Sequence, residues 1–118
     1  MSTFRRLPRA PLNVYLNKFF RESPYMCRAV DVSEEAVYLA RLLEPRFHGR
    51  EVCLEFALPG CDEILWARGL IVRDGLRRGG EGSAIRFTVL PEAYRRMIRD
   101  YVQRHELGLA ETELAQAA

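Results

Sequence analysis

Lysine is nearly missing from this chain of 118 residues: Lys18 stands alone, and every other basic side chain besides the two histidines is arginine. Its basic chemistry therefore rests on planar guanidinium forks, which match phosphates and base edges, rather than on ammonium point charges. Cysteine is scarce and unpatterned. Cys27, Cys53 and Cys61 form no C-x-x-C and are odd in number, so neither a disulfide framework nor a zinc site is expected. Reduced thiols are expected instead. Cys27 and Cys53 fall in strand-like segments and read as small apolar fillers, and Cys61 sits in a turn. No apolar run approaches the roughly 18 residues of a membrane span. The N-terminal arginines are not followed by the apolar stretch of a secretory signal. A cytoplasmic protein without membrane insertion is the expectation. His48 and His105 are isolated, and no Ser–His–Asp set, Cys–His pair or phosphate loop stands out. Catalysis, a cofactor and a metal are therefore not expected. A net charge of +2 is too small to mark the whole chain as a nucleic-acid binder, so nucleic acid is not an expected partner.

What is present fits one domain, long enough to bury a core without staples. Residues 1–11 hold three arginines, two prolines and no acid, and read as a flexible arginine arm. Leu12, Val14 and Leu16 alternate with Asn13, Tyr15 and Asn17, the period of a half-buried strand. Glu22-Ser23-Pro24 marks a turn. Strands are predicted at Met26 to Val32, Val37 to Leu43, Glu51 to Leu58, Ile64 to Arg73 and Ala84 to Val89. The loop after Glu44-Pro45 and the turn Pro59-Gly60-Cys61-Asp62 separate them. Asp74 to Gly82, with its four glycines, reads as a loop, and Arg77-Arg78 as its solvated tip. Tyr94, Met97, Ile98, Tyr101 and Val102 then recur at helical spacing, with Pro91 placed as a first helical residue. That helix should end near His105. Residues 106–118 read as a frayed helix or mobile tail. Six short strands at near-regular spacing indicate an antiparallel sandwich or barrel, with the helix over one end or face.

Two short motifs carry the functional signal. Arg5-Arg6-Leu7-Pro8-Arg9 lies in the arm, and Asp31-Val32-Ser33-Glu34-Glu35-Ala36 turns between two strands. Arg5-x-x-x-Arg9 followed by Asp31-x-Ser33-x-x-Ala36 resembles the PilZ domain family, whose pattern is R-x-x-x-R and then [D/N]-x-S-x-x-G. Gly82-Ser83-Ala84-Ile85-Arg86-Phe87, followed by Leu90-Pro91-Glu92, is similar to that family's last strand and helix start. The resemblance covers about residues 4 to 103. It implies a mainly β fold, a six-stranded antiparallel barrel over residues 12–105 with a C-terminal helix. It further implies a receptor for cyclic di-GMP in which Arg5 and Arg9 wrap the nucleotide while Asp31 and Ser33 hold a guanine. Arg6 would reach a phosphate.

The chemistry of those residues agrees with such a ligand. A bidentate arginine matches the O6 and N7 acceptors of guanine, or clamps a phosphate. A carboxylate suits the N1–H and 2-amino donors of the opposite edge, and a serine hydroxyl adds one adaptable bond. An arm that orders on binding creates or hides a surface for an as yet unidentified protein partner.

Ala36 departs from the pattern. If the family glycine supplies a positive φ, alanine there costs on the order of 1 kcal/mol, and Ala36→Gly should strengthen binding. Glu34 and Glu35 place two carboxylates in the same turn, where they would repel an anionic ligand or pair with the arm arginines. The alternative function is therefore a degenerate PilZ-like domain that does not bind the nucleotide and serves as a protein-interaction module in motility, pilus or polarity control. Trp66, with Leu65 and Ala67 pointing the other way, reads as packed in the core or partly against the surface, and Asp62-Glu63 as a solvated turn.

Overall fold

The computed structural model describes residues 7–20, 22–41, 51–77 and 80–117. Six strands run in chain order: β1 (Ala10–Phe20), β2 (Ser23–Val32), β3 (Ala36–Arg41), β4 (Glu51–Phe56), β5 (Leu65–Arg77) and β6 (Gly80–Val89). A single helix follows, α1 (Glu92–Ala117). Every strand pair is antiparallel, and the order β1-β2-β3-β6-β5-β4 closes on itself as β1 pairs with β4. Closure leaves no exposed sheet edge, which a small all-β domain otherwise has to protect. Among the described residues no helix is long and apolar enough to cross a membrane.

The expected alternation fills the barrel. Leu12 and Leu16 of β1, Cys27, Ala29 and Val32 of β2, Val37 and Leu39 of β3, and Val52, Leu54 and Phe56 of β4 all point inward and are buried. Ile98 and Val102 of α1 complete this core, so the helical stripe packs on the barrel as its spacing required. Lys18, the one lysine, is fully buried on the inward row of β1. Cys53 corrects an expectation. It alternates with Val52, Leu54 and Phe56 and therefore faces outward, exposed, while only Cys27 is a core filler.

The glycine-rich segment is a second correction. It is not a loop: Asp74, Gly75, Leu76 and Arg77 continue β5 and pair with Ser83, Gly82, Glu81 and Gly80. Gly82 shows one reason for glycine inside a strand. The ring of Tyr38 crosses it so closely that a Cβ would sit 2.2 Å from the Tyr38 hydroxyl. Glycine in this hairpin thus gives space to a neighbouring aromatic rather than breaking the sheet. Helix α1 starts at Glu92, one residue later than expected: Pro91 stands just outside it, and its carbonyl accepts from the N–H groups of Tyr94 and Arg95 at 3.0 Å. Residues 106–117 are helical. Leu42, Leu43 and the loop at 44–49 lie outside the described residues, as does Arg78.

Candidate functional site

Strand register brings the two motifs together. Pro11 pairs with Asp31 across β1 and β2. Arg9, two residues before Pro11, is thus a diagonal neighbour of Asp31, within reach of a long side chain. The Arg9 Nη1 donates to Asp31 Oδ1 at 3.3 Å. Both groups remain accessible, with 45% of the Arg9 side chain and 29% of the Asp31 side chain exposed. Asp31 stands at an irregular point. β2 carries a bulge between Ala29 and Asp31 relative to β3, and β1 shifts register between Pro11 and Val14. Asn13 takes φ 57° in that β1 bulge, a conformation asparagine tolerates. Paired irregularities of this kind re-aim side chains at a barrel rim. Arg5 and Arg6 lie outside the described residues.

Ser33 is placed differently from Asp31. It is buried, and its Oγ accepts from the N–H groups of Glu35 and Ala36, each at 3.2 Å. Its own N–H donates to the Ala36 carbonyl at 2.9 Å. The hydroxyl therefore closes the turn on itself, as serine often does next to its own backbone. Ala36 begins β3 opposite Arg86. Its φ is not positive, since Asn13 and Glu22 are the only non-glycine residues with positive φ among those described. The expected alanine strain is thus absent: the residue is extended, and an extended residue needs no glycine.

The two glutamates of the turn do not pair with the described part of the arm. Glu34 is taken by the helix: Arg99 donates from Nε and Nη2 to Glu34 Oε1 at 3.0 and 2.9 Å. Arg95 Nη1 donates to the Glu34 carbonyl at 2.8 Å. The hydrogen bond to Glu34, and then its charge, raise the pKa of Arg99 and keep it cationic. The Glu35 carbonyl accepts from the Phe87 N–H at 2.8 Å, tying the turn to β6. Glu34, Glu35, Arg86, Phe87 and Arg95 line a shallow hollow of about 250 Å³. Close by, the Tyr101 hydroxyl donates to the Pro11 carbonyl at 2.5 Å, and burial pushes its phenol pKa up.

Arg95, Arg99 and Tyr101 were not singled out from the sequence as site residues. Their only signal was that two arginines one helical turn apart flank the apolar stripe. Larger hollows occur elsewhere. One of about 700 Å³ is lined by Phe19, Cys53, Trp66 and Arg68 with Glu22, Glu51 and Glu55. It lies along the β4–β5 seam, across the barrel from β2 and β3 by strand order. Trp66 is 46% exposed there and meets Tyr94 of α1 edge-on, with ring centroids 6.3 Å apart.

The chain thus has the fold that the resemblance implied, a closed six-stranded antiparallel barrel with one C-terminal helix, and Arg9 of the first motif meets Asp31 of the second at one rim. Solved structures share this fold, two of them as follows. One is the inhibitor of motility MotI/DgrA of Bacillus subtilis, with TM-score 0.74 and 12% identity over 91% of this chain and 53% of that one. The other is the PlzA protein of Borreliella burgdorferi in complex with c-di-GMP, with TM-score 0.63 and 14% identity over 85% of this chain and 41% of that one. This chain thus spans about half the length of those proteins or less. No protein-family model matches the chain, and no curated protein matches it.

Proposed function

We propose that the chain is a non-catalytic receptor for cyclic di-GMP that changes its contacts with a protein partner when the arginine arm orders on the nucleotide. The observation that supports it most is the Arg9–Asp31 contact at 3.3 Å, which joins the two motifs on one accessible rim. In this reading Asp31 accepts from the N1–H and 2-amino groups of a guanine, and the Arg9 fork moves to base or phosphate acceptors. Arg5 and Arg6 contribute further guanidinium groups to the two phosphates. Ser33 shapes the turn that presents Asp31. Releasing Arg9 from Asp31 is inexpensive, because exposed ion pairs contribute roughly 0–1 kcal/mol. The likeness to PlzA, solved with this nucleotide, supports the ligand. Calorimetric titration with cyclic di-GMP, with GTP as control, tests the reading. Micromolar or tighter binding specific to the dinucleotide supports it, with a stabilisation of roughly 2.7 kcal/mol at 100 times the dissociation constant.

A second reading is a constitutive protein-interaction module in motility, pilus or polarity control. What favours it is that Arg9 and Asp31 already satisfy each other in the free chain. The absence of both heat and a thermal shift on titration would select this reading over the first.

A further inference from the structure

Helix α1 touches both halves of the candidate site at defined polar contacts. Arg99 and Arg95 hold Glu34 by its side chain and its carbonyl. Tyr101, half a turn beyond Arg99, holds the Pro11 carbonyl, two residues from Arg9 and directly opposite Asp31 in register. The buried Ile98 and Val102 anchor the same stretch of helix in the core. Glu34 is the more buried partner of the ion pair, its side chain 24% exposed against 44% for Arg99. Two guanidinium N–H bonds converge on one of its carboxylate oxygens, a charge-assisted arrangement stronger than a neutral bond.

We infer that Glu34, Arg95, Arg99 and Tyr101 form a clasp through which helix α1 sets the position of the turn that carries Asp31. Its bearing on nucleotide binding rests on the function proposed above. These are positioning residues: each acts on the backbone or carboxylate of the site's own segments. The clasp also weakens the electrostatic objection to an anionic ligand, because Arg99 offsets the charge of Glu34, one of the two carboxylates of the turn. Linkage then makes the coupling reciprocal. Whatever moves α1 alters the turn, and occupancy of the turn tightens the helix. A protein partner that grips α1 would thus read the state of the rim.

Amide hydrogen exchange on the whole chain tests this without any ligand. The Glu35 and Ala36 amides, which bond to Ser33 Oγ, report the order of the turn. In Glu34→Gln and in Arg99→Gln their exchange should quicken about threefold. The double variant should exchange no faster than either single one, as expected for two ends of one contact. Arg104→Gln, which removes a helix arginine paired with Asp100, serves as control and should leave both amides unchanged. Unchanged exchange in both Glu34→Gln and Arg99→Gln overturns the clasp, whatever the chain binds. Titration of the same variants with cyclic di-GMP separates the two ideas. Quickened exchange in the variants with no binding by the parent chain removes the receptor reading and leaves the clasp. Binding by the parent with unchanged exchange in the variants does the reverse.

Discussion

The two halves of the candidate site are held by very different means. The turn from Asp31 to Ala36 is fastened on every side: by Ser33 within itself, by Phe87 of β6, and by Arg95 and Arg99 of α1. Of the expected arm, Ala10 and Pro11 belong to β1 and pair with Val32 and Asp31, and from Leu7 to Arg9 the contact that joins it to the turn is one partly exposed ion pair. A rigid half and a lightly held half suit complementary tasks. The rigid half pre-pays the ordering entropy and sets geometry, whereas the lightly held half exchanges partners at low cost. A site made only of the first would report nothing on binding, and one made only of the second would bind weakly.

On the rigid side the comparison breaks at Ser33. Ser33→Ala leaves two amides of a part-buried turn without their acceptor and should lower stability by about 1 kcal/mol in urea denaturation. A loss under about 0.5 kcal/mol would mean that the outer contacts alone hold the turn. The arm should behave in the opposite way. Arg5→Ala and Arg9→Ala should each lower affinity for cyclic di-GMP at least tenfold, about 1.4 kcal/mol, with unfolding midpoints unchanged. Unchanged affinity in both would remove the arm from the site.

Tyr101→Phe probes the seam between the halves. It deletes the bond to the Pro11 carbonyl and should cost about 1 kcal/mol. The same phenol gives a pH signature. Burial raises its folded-state pKa above the unfolded value, so its contribution is complete below about pH 10. It is lost as pH rises through the higher folded value. Parent and Tyr101→Phe should therefore converge in stability at alkaline pH, and parallel pH profiles would exclude the phenol as the cause. The smallest effect belongs to Ala36→Gly. Because Ala36 is an ordinary extended residue, the change relieves no strain and should cost about 0.5–1 kcal/mol through added unfolded-state freedom. A stabilised Ala36→Gly variant would show hidden strain in the turn.

Much of the fold was legible because it rests on period. Alternation at Val52, Leu54 and Phe56 and helical spacing at Ile98 and Val102 report which face is wet, and the core follows those faces. The same alternation already placed Cys53 outside, against its reading as a filler. The hairpin of β5 and β6 was not legible. Glycine marks loops in local statistics, but at Gly82 its use is set by Tyr38 on a neighbouring strand, more than forty residues away in sequence. Of the site, Arg9 and Asp31 were legible as residue types in a spaced pattern. Ser33 was legible as a member but not as the inward brace of its own turn.

The amino-acid sequence by itself determined the number of strands, the inward rows, the helix and the two motif segments, since each follows from local period and residue chemistry. Only the tertiary structure decided how the site is supported. Glu34 and Arg99 are 65 residues apart and Pro11 and Tyr101 are 90 apart. Contacts over such separations leave no local pattern. They exist because barrel closure and the burial of Ile98 and Val102 carry the helix across the rim, where its arginines meet the turn that carries Glu34.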